Sequence, residues 1–112
     1  MTNKYEEVRS IEKAIAEQIF LDEDKDSICS AMVSVAFYEQ DWKWAQEKFI
    51  ELFFSSDSDI SGLAATCLGH LARIHKTIEK QRVLKILRDG VNKDNQGRID
   101  DAIDDIEMFV RG

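Results

Sequence analysis

The 112-residue chain contains no proline, two cysteines and five glycines. Average usage would place about five prolines in this length. Their absence removes the hardest helix breaks and leaves glycine, serine and aspartate to punctuate the fold. Cys29 and Cys67 lie far apart inside apolar stretches, too few for a disulfide framework, and are expected as reduced, buried thiols. No apolar run approaches the 18 residues that read as a membrane span. The opening residues Met1 to Glu7 lack the basic and apolar regions of a secretory signal, so the expected compartment is the cytoplasm. Glycine-rich phosphate loops of the GxGxxG or GxxxxGK[ST] type do not occur. Basic charge is also short: 15 Lys+Arg stand against 22 Asp+Glu, for a net charge of −7. That balance argues against a phosphate backbone as the main ligand and suits a basic partner.

What is present is helical periodicity nearly throughout. Tyr5, Val8, Ile11, Ile15 and Ile19 recur every three or four residues, which predicts an amphipathic first helix with Asn3 and Glu6 as a capping pair. The acidic stretch from Asp22 to Ser27 interrupts it, and Asp26 or Ser27 can cap the second helix. There Ile28, Ala31, Met32, Val35 and Ala36 form one stripe ending near Glu39. Asp41 is the expected cap of a third helix carrying Trp42, Ala45, Phe49, Leu52 and Phe53 inward. Asp59 is the expected cap of a fourth, from Ile60 to about His75. This helix is apolar over more than half its circumference (Ile60, Leu63, Ala64, Cys67, Leu68, Leu71, Ala72, Ile74), so it is expected at the centre of the domain. A fifth helix, about Glu79 to Asp89, turns Val83, Leu84 and Leu87 inward. Asp89-Gly90 and Asn92 to Gly97 read as a loop. A sixth, from about Arg98, carries Ile99, Ala102, Ile103, Ile106, Phe109 and Val110 on one face.

Six helices with short connections pair into three consecutive antiparallel hairpins, about 3–39, 41–75 and 79–111. The predicted architecture is all-α, a single domain over residues 1–112, built from stacked hairpins at a step of about 35 to 38 residues.

The fourth helix reads Asp59-Ile60-Ser61-Gly62-Leu63-Ala64-Ala65-Thr66-Cys67-Leu68-Gly69-His70-Leu71. It resembles the second helix of a HEAT-type repeat, with a capping Asp, an Ala-Ala pair and a following Leu-Gly; Ser61 stands where such repeats usually carry Arg. Small residues at Gly62, Ala64, Ala65 and Gly69 would let neighbouring helices approach closely. Together with Asp41-Trp42-Lys43-Trp44-Ala45-Gln46 and the run from Asp101 to Phe109, it is similar to a family of short bacterial HEAT-like proteins. Several of these are encoded beside secreted polymorphic or contact-dependent growth inhibition toxins and act as their immunity proteins. The resemblance implies a three-hairpin HEAT-like α-solenoid. It also implies a non-catalytic inhibitor whose partner is a toxin domain.

The sixth helix holds the most informative side chains. Asp100 with Asp104 and Asp101 with Asp105 are like-charge pairs at four-residue spacing, and Glu107 adds a fifth charge. Each such pair costs a few tenths of a kcal/mol, and aspartate is a poor helix former. Three explanations stand open: screening by the basic fifth helix (Lys80, Arg82, Lys85, Arg88), docking of a basic partner, or a metal site. The DDxxD pattern at Asp100 to Asp104 would need a facing acidic motif across a large cavity, which three short hairpins cannot enclose. Cys67, His70 and His75 share one helix, but their spacing does not converge on a zinc, and a cysteine on an apolar face is an inert nucleophile. Trp42 and Trp44 flank Lys43 and point about 200° apart, so at most one can be fully core; tryptophan is enriched in binding hot spots.

No catalytic residue, cofactor or metal ligand is therefore expected. The candidate partner-binding residues are Tyr38, Trp42, Trp44, Asp100, Asp101, Asp104, Asp105 and Glu107. The expected function is neutralisation of a basic toxin domain, a nuclease, by an acidic helical surface, without contact to nucleic acid or membrane. The alternative is a HEAT-type scaffold or adaptor for another cytoplasmic protein.

Overall fold

The helical periodicity is realised in six helices, with no strand among the described residues. In the computed structural model, which describes residues 10–21, 24–90 and 94–111, these are α1 (Lys13–Phe20), α2 (Lys25–Tyr38), α3 (Trp42–Phe53), α4 (Ser58–His75), α5 (Lys80–Asp89) and α6 (Gln96–Phe109). They form the three expected hairpins, α1–α2, α3–α4 and α5–α6, stacked along an axis that gives the molecule extents of 44 × 28 × 24 Å.

The cross-contacts sort the helices into two layers. The first helices of the hairpins run parallel: Lys13 reaches Asp41, Glu17 reaches Trp44, Gln46 reaches Glu79 and Glu47 reaches Arg82. The second helices also run parallel. Lys25 meets Asp57 and Asp59, the Cys67 thiol approaches the Met32 carbonyl, and Gly62 and Gly69 of α4 face Asn95 and Ala102 of the third hairpin. Equivalent positions of successive units lie 33 to 35 residues apart (Gln46–Glu79, Glu47–Arg82, Met32–Cys67). The α1–α3 separation is shorter, at 27 and 28 residues.

α4 is central, packed on α2, α3 and α6. Ten of its residues are buried, from Ile60 to Ala72, as expected for a helix apolar so far round. An ideal Cβ on Gly69 would lie 3.0 Å from the backbone of Ala102, so this glycine sets the α4–α6 distance. Ser61 points its hydroxyl at the Phe53 carbonyl, 2.6 Å away, and ties α4 to α3 from within the core. Met32, Phe49, Leu68, Leu71, Leu87, Ile99 and Ile106 are fully buried around it.

Several boundaries differ from expectation. The pairing of Asn3 with Glu6, the residues Tyr5 and Val8, and the acidic Asp22-Glu23 lie outside the described residues. Ile11 is partly buried but precedes α1, because Glu12 is extended and forms its cap position. Ala16 is the buried residue of that helix, while Ile15 is half exposed. α2 starts after Asp24, whose carboxylate accepts the Ser27 hydroxyl, so neither Asp26 nor Ser27 is the cap. α4 is capped by Asp57 and not Asp59. The Asp57 carboxylate accepts the N–H groups of Asp59 and Ile60, and both Asp57 and Asp59 pair with Lys25. α6 begins at Gln96, taking Gly97 from the expected loop into its first turn. Asp41 caps α3 through the Trp44 N–H, as expected. Cys67 is buried, but Cys29 only partly so; both are free thiols.

Candidate partner-binding surface

The acidic side chains of α6 divide by direction. One edge of the helix faces α4: Arg98, Ala102 and Asp105 lie over Gly62 and Gly69. Further along, the Phe109 ring receives the Lys76 ammonium at 4.4 Å and the Arg73 guanidinium at 6.0 Å. The opposite edge faces α5, where Glu107 pairs with Arg88 at 3.1 Å and Lys80 at 3.5 Å. The aspartates are not screened in this way. Arg82 is turned to Glu47 and Glu79, and Lys85 to Asp89. Asp100 accepts an amide hydrogen bond from Gln96. Among the described residues no cation pairs with Asp100, Asp101, Asp104 or Asp105. Screening by the fifth helix is thus confined to Glu107.

The outer face of the first layer (α1, α3, α5) is stitched together by its own charges. Lys13 bonds Asp41 at 2.8 Å, the Trp44 indole donates to Glu17 at 2.9 Å, Lys48 approaches Glu17, and Arg82 bridges Glu47 and Glu79. The guanidinium of Arg82 pulls the Glu47 carboxyl down to about 2. The indole hydrogen bond lowers Glu17 in the same direction. Trp42 and Trp44 are both half-buried, and Trp44 is a brace between α1 and α3.

The outer face of the second layer (α2, α4, α6) is different. Beyond the Lys25 pairs, it carries exposed apolar side chains. Phe37 is 51% and Met108 74% accessible, with Tyr38 and Ile74 also exposed. The Phe37 ring meets the His70 ring edge-on at 4.4 Å and Tyr38 at 6.3 Å. His70 Nε2 is shielded from water and has no hydrogen-bond partner among the described residues. Burial and the neighbouring Arg73 push the His70 imidazole below its ordinary pKa, against the opposing charge of Asp105. Phe37, His70 and Asp105 therefore form a row across three helices. Phe37 falls off the Ile28–Ala36 core stripe, and an aromatic placed off the stripe is the sequence signal by which it could have been found.

Cys67, His70 and His75 do not converge. The Cys67 thiol points at the Met32 carbonyl, and burial pushes it up to about 12. Among the described residues no three or more His, Cys, Asp or Glu side chains are grouped to hold a metal ion. Nor is any described helix long and apolar enough to cross a membrane. A shallow pocket of about 260 Å³ lies between α1 and α3, lined by Phe20, Leu21, Leu52 and the Glu17, Lys48 and Glu51 side chains. It contains no nucleophile–base pair.

No family model matches the chain, and no curated protein matches it. Among solved structures it is similar to a chain of the CDI complex from Cupriavidus taiwanensis LMG 19424, with a TM-score of 0.83 and 29% identity over 96% of this chain and 98% of that one. In both fold and sequence, then, this three-hairpin chain is like a component of a bacterial CDI complex, the kind of system to which its sequence resemblance points.

Proposed function

We propose that the chain is the immunity member of a contact-dependent growth inhibition pair: a non-catalytic, cytoplasmic HEAT-like α-solenoid that binds and neutralises a cognate secreted toxin domain. The observation that carries this reading is the end-to-end likeness to a chain of a CDI complex. Two features favour the immunity role over the toxin role. The chain is acidic, at −7, and α6 exposes aspartates for which the described residues supply no cation. A basic nuclease cleft is the matching partner, since carboxylates can occupy positions where substrate phosphates would sit. Complementary charge of this kind speeds association and disfavours wrong partners.

Tyr38, Trp42, Trp44 and the α6 residues Asp100, Asp101, Asp104, Asp105 and Glu107 are the proposed contact residues. Glu107 is already engaged by α5, and Trp44 by Glu17. These two act by shaping the surface, and the aspartates, which form no ion pair among the described residues, supply the charge.

The test is to look beside this gene for one encoding a secreted toxin and to co-express the chain with that protein's C-terminal domain. The expected result is a 1:1 complex and survival of cells producing that domain. Survival without this chain, or no complex with it, overturns the reading in favour of a scaffold for another protein.

A further inference from the structure

The two outer faces of the stack offer a partner opposite things. On the α1–α3–α5 face, acids and bases satisfy one another across helices: Lys13 with Asp41, Lys48 with Glu17, Arg82 with Glu47 and Glu79. A partner docking there would have to break these pairs and would gain little beyond what it disrupted. On the α2–α4–α6 face, the helices are joined through Gly62, Gly69 and Ala102, so the polar and aromatic groups along the outer edge are left to project. Phe37, Ile74 and Met108 are exposed there. The His70 ring packs against Phe37, and its Nε2 has no hydrogen-bond partner among the described residues. Asp105 lies against Gly69 on the same α6 edge as Arg98, Asp101 stands one turn before it, and neither aspartate forms an ion pair among the described residues.

We infer that the α2–α4–α6 face, centred on the row Phe37–His70–Asp105, is the docking surface for a basic protein, and that a Lys or Arg of this partner sits between Asp101 and Asp105 while an apolar side chain covers Phe37. Charge complementarity and an aromatic anchor coincide on this face. Two carboxylates at four-residue spacing repel each other in the free protein, and a cation between them removes that repulsion. An exposed aromatic beside a shielded, unpartnered ring nitrogen has the make-up of an interface centre, where apolar contact excludes water around a few polar groups. The proposal rests on the toxin-binding reading above and goes further by choosing one face. It moves the anchor from Trp42 and Trp44 to Phe37.

The experiment measures binding of the purified chain, by calorimetry, to the toxin domain that the co-expression test identifies. The variants are Phe37→Ala, Asp101→Asn with Asp105→Asn, and His70→Gln; a first-layer control carries Lys43→Ala with Lys85→Ala. Circular dichroism melting of each variant verifies the fold. The expected result is about tenfold or greater weakening for Phe37→Ala and for the double Asn variant, with a reduced salt dependence in the latter and no change in the control. Wild-type affinity in Phe37→Ala and the double Asn variant, or a loss only in the control, overturns the choice of face and leaves the toxin reading standing. Absence of binding by the wild-type chain overturns both.

Discussion

The buried side-chain amide of Gln46 on α3 and Glu79 at the start of α5 hold each other by two reciprocal hydrogen bonds. Gln46 Nε2 donates to Glu79 Oε1 at 2.7 Å, and the Glu79 backbone N–H donates to Gln46 Oε1 at 2.8 Å. Glu79 is the cap position of α5 and makes no side-chain capping bond to its own helix. The residue three positions on is Arg82, which cannot accept, so the reciprocal bond of a capping box is unavailable within α5. Gln46 supplies it from the neighbouring unit, and the second hairpin thereby fixes where the third begins.

Replacing Gln46 with Leu keeps the volume but leaves the Glu79 N–H without this acceptor. The expected cost is about 1–3 kcal/mol, the range for a polar group deprived of its partner. Urea denaturation reads it as a lowered midpoint at unchanged slope. A loss below about 0.5 kcal/mol would mean that water replaces the amide without penalty.

Gly69 and Gly97 are both helical, and substitution by Ala should act in opposite directions. At Gly97 a Cβ meets nothing within 4 Å, so Gly97→Ala should stabilise by about 0.5–1 kcal/mol through helix propensity. At Gly69 the added Cβ presses on the Ala102 backbone at 3.0 Å, and overpacking of about 1–3 kcal/mol exceeds the same gain. Thermal melts of the two variants check the sign. A stabilised Gly69→Ala would show that α6 can withdraw at little cost.

Lys76 ends α4 in the left-handed region, with φ 59° and ψ 17°. A glycine there would remove strain of about 1 kcal/mol. Lysine offsets the strain by placing its ammonium 4.4 Å from the centre of the Phe109 ring, worth about 0.5–1 kcal/mol at an exposed site. Lys76→Gly should therefore be nearly neutral alone and clearly stabilising in a Phe109→Leu background. A double-mutant cycle with no coupling between the two positions would contradict this.

Arg82 holds the Glu47 carboxyl at about 2, below its ordinary 4.5. Above the ordinary value both folded and unfolded chains are ionised, and the stabilisation is fully present. As pH falls from about 4.5 toward 2, the unfolded chain takes up the proton first and stability declines. Both partners are more than a third exposed, so solvent and salt reduce the effect. Glu47→Gln should flatten the stability profile between pH 4.5 and 2, measured as urea midpoints across that interval. An unchanged slope would show that other carboxylates govern the acid limb.

Much of this molecule is readable from residue spacing. The stripe Ile28, Ala31, Met32, Val35 and Ala36 is buried as written, α4 is central, and Asp41 caps α3. Caps within acidic turns are less legible. Asp57 and Asp59 are chemically the same and both pair with Lys25 of the preceding hairpin; their roles separate only in where the helix begins, which puts the N–H groups of Asp59 and Ile60 within reach of Asp57. Ile15 and Ile74 fit a helical stripe by position, yet both end exposed, because α1 and even the central α4 keep one face that no neighbouring helix covers.

By itself the sequence determined six helices in three hairpins, a central fourth helix with small residues at its contacts, and an acidic sixth helix. These follow from local periodicity and side-chain size, which act within a few turns of chain. Only the tertiary structure decided which charges are spent internally. Whether Arg82 meets an α6 aspartate or Glu47 depends on the rotation and register of α5 against two neighbours, which no local pattern encodes. That choice neutralised the first layer and Glu107, and left Asp101, Asp104 and Asp105 without an ion pair among the described residues, because α4 meets α6 through glycine and alanine while its Arg73 and the following Lys76 lie over the Phe109 ring.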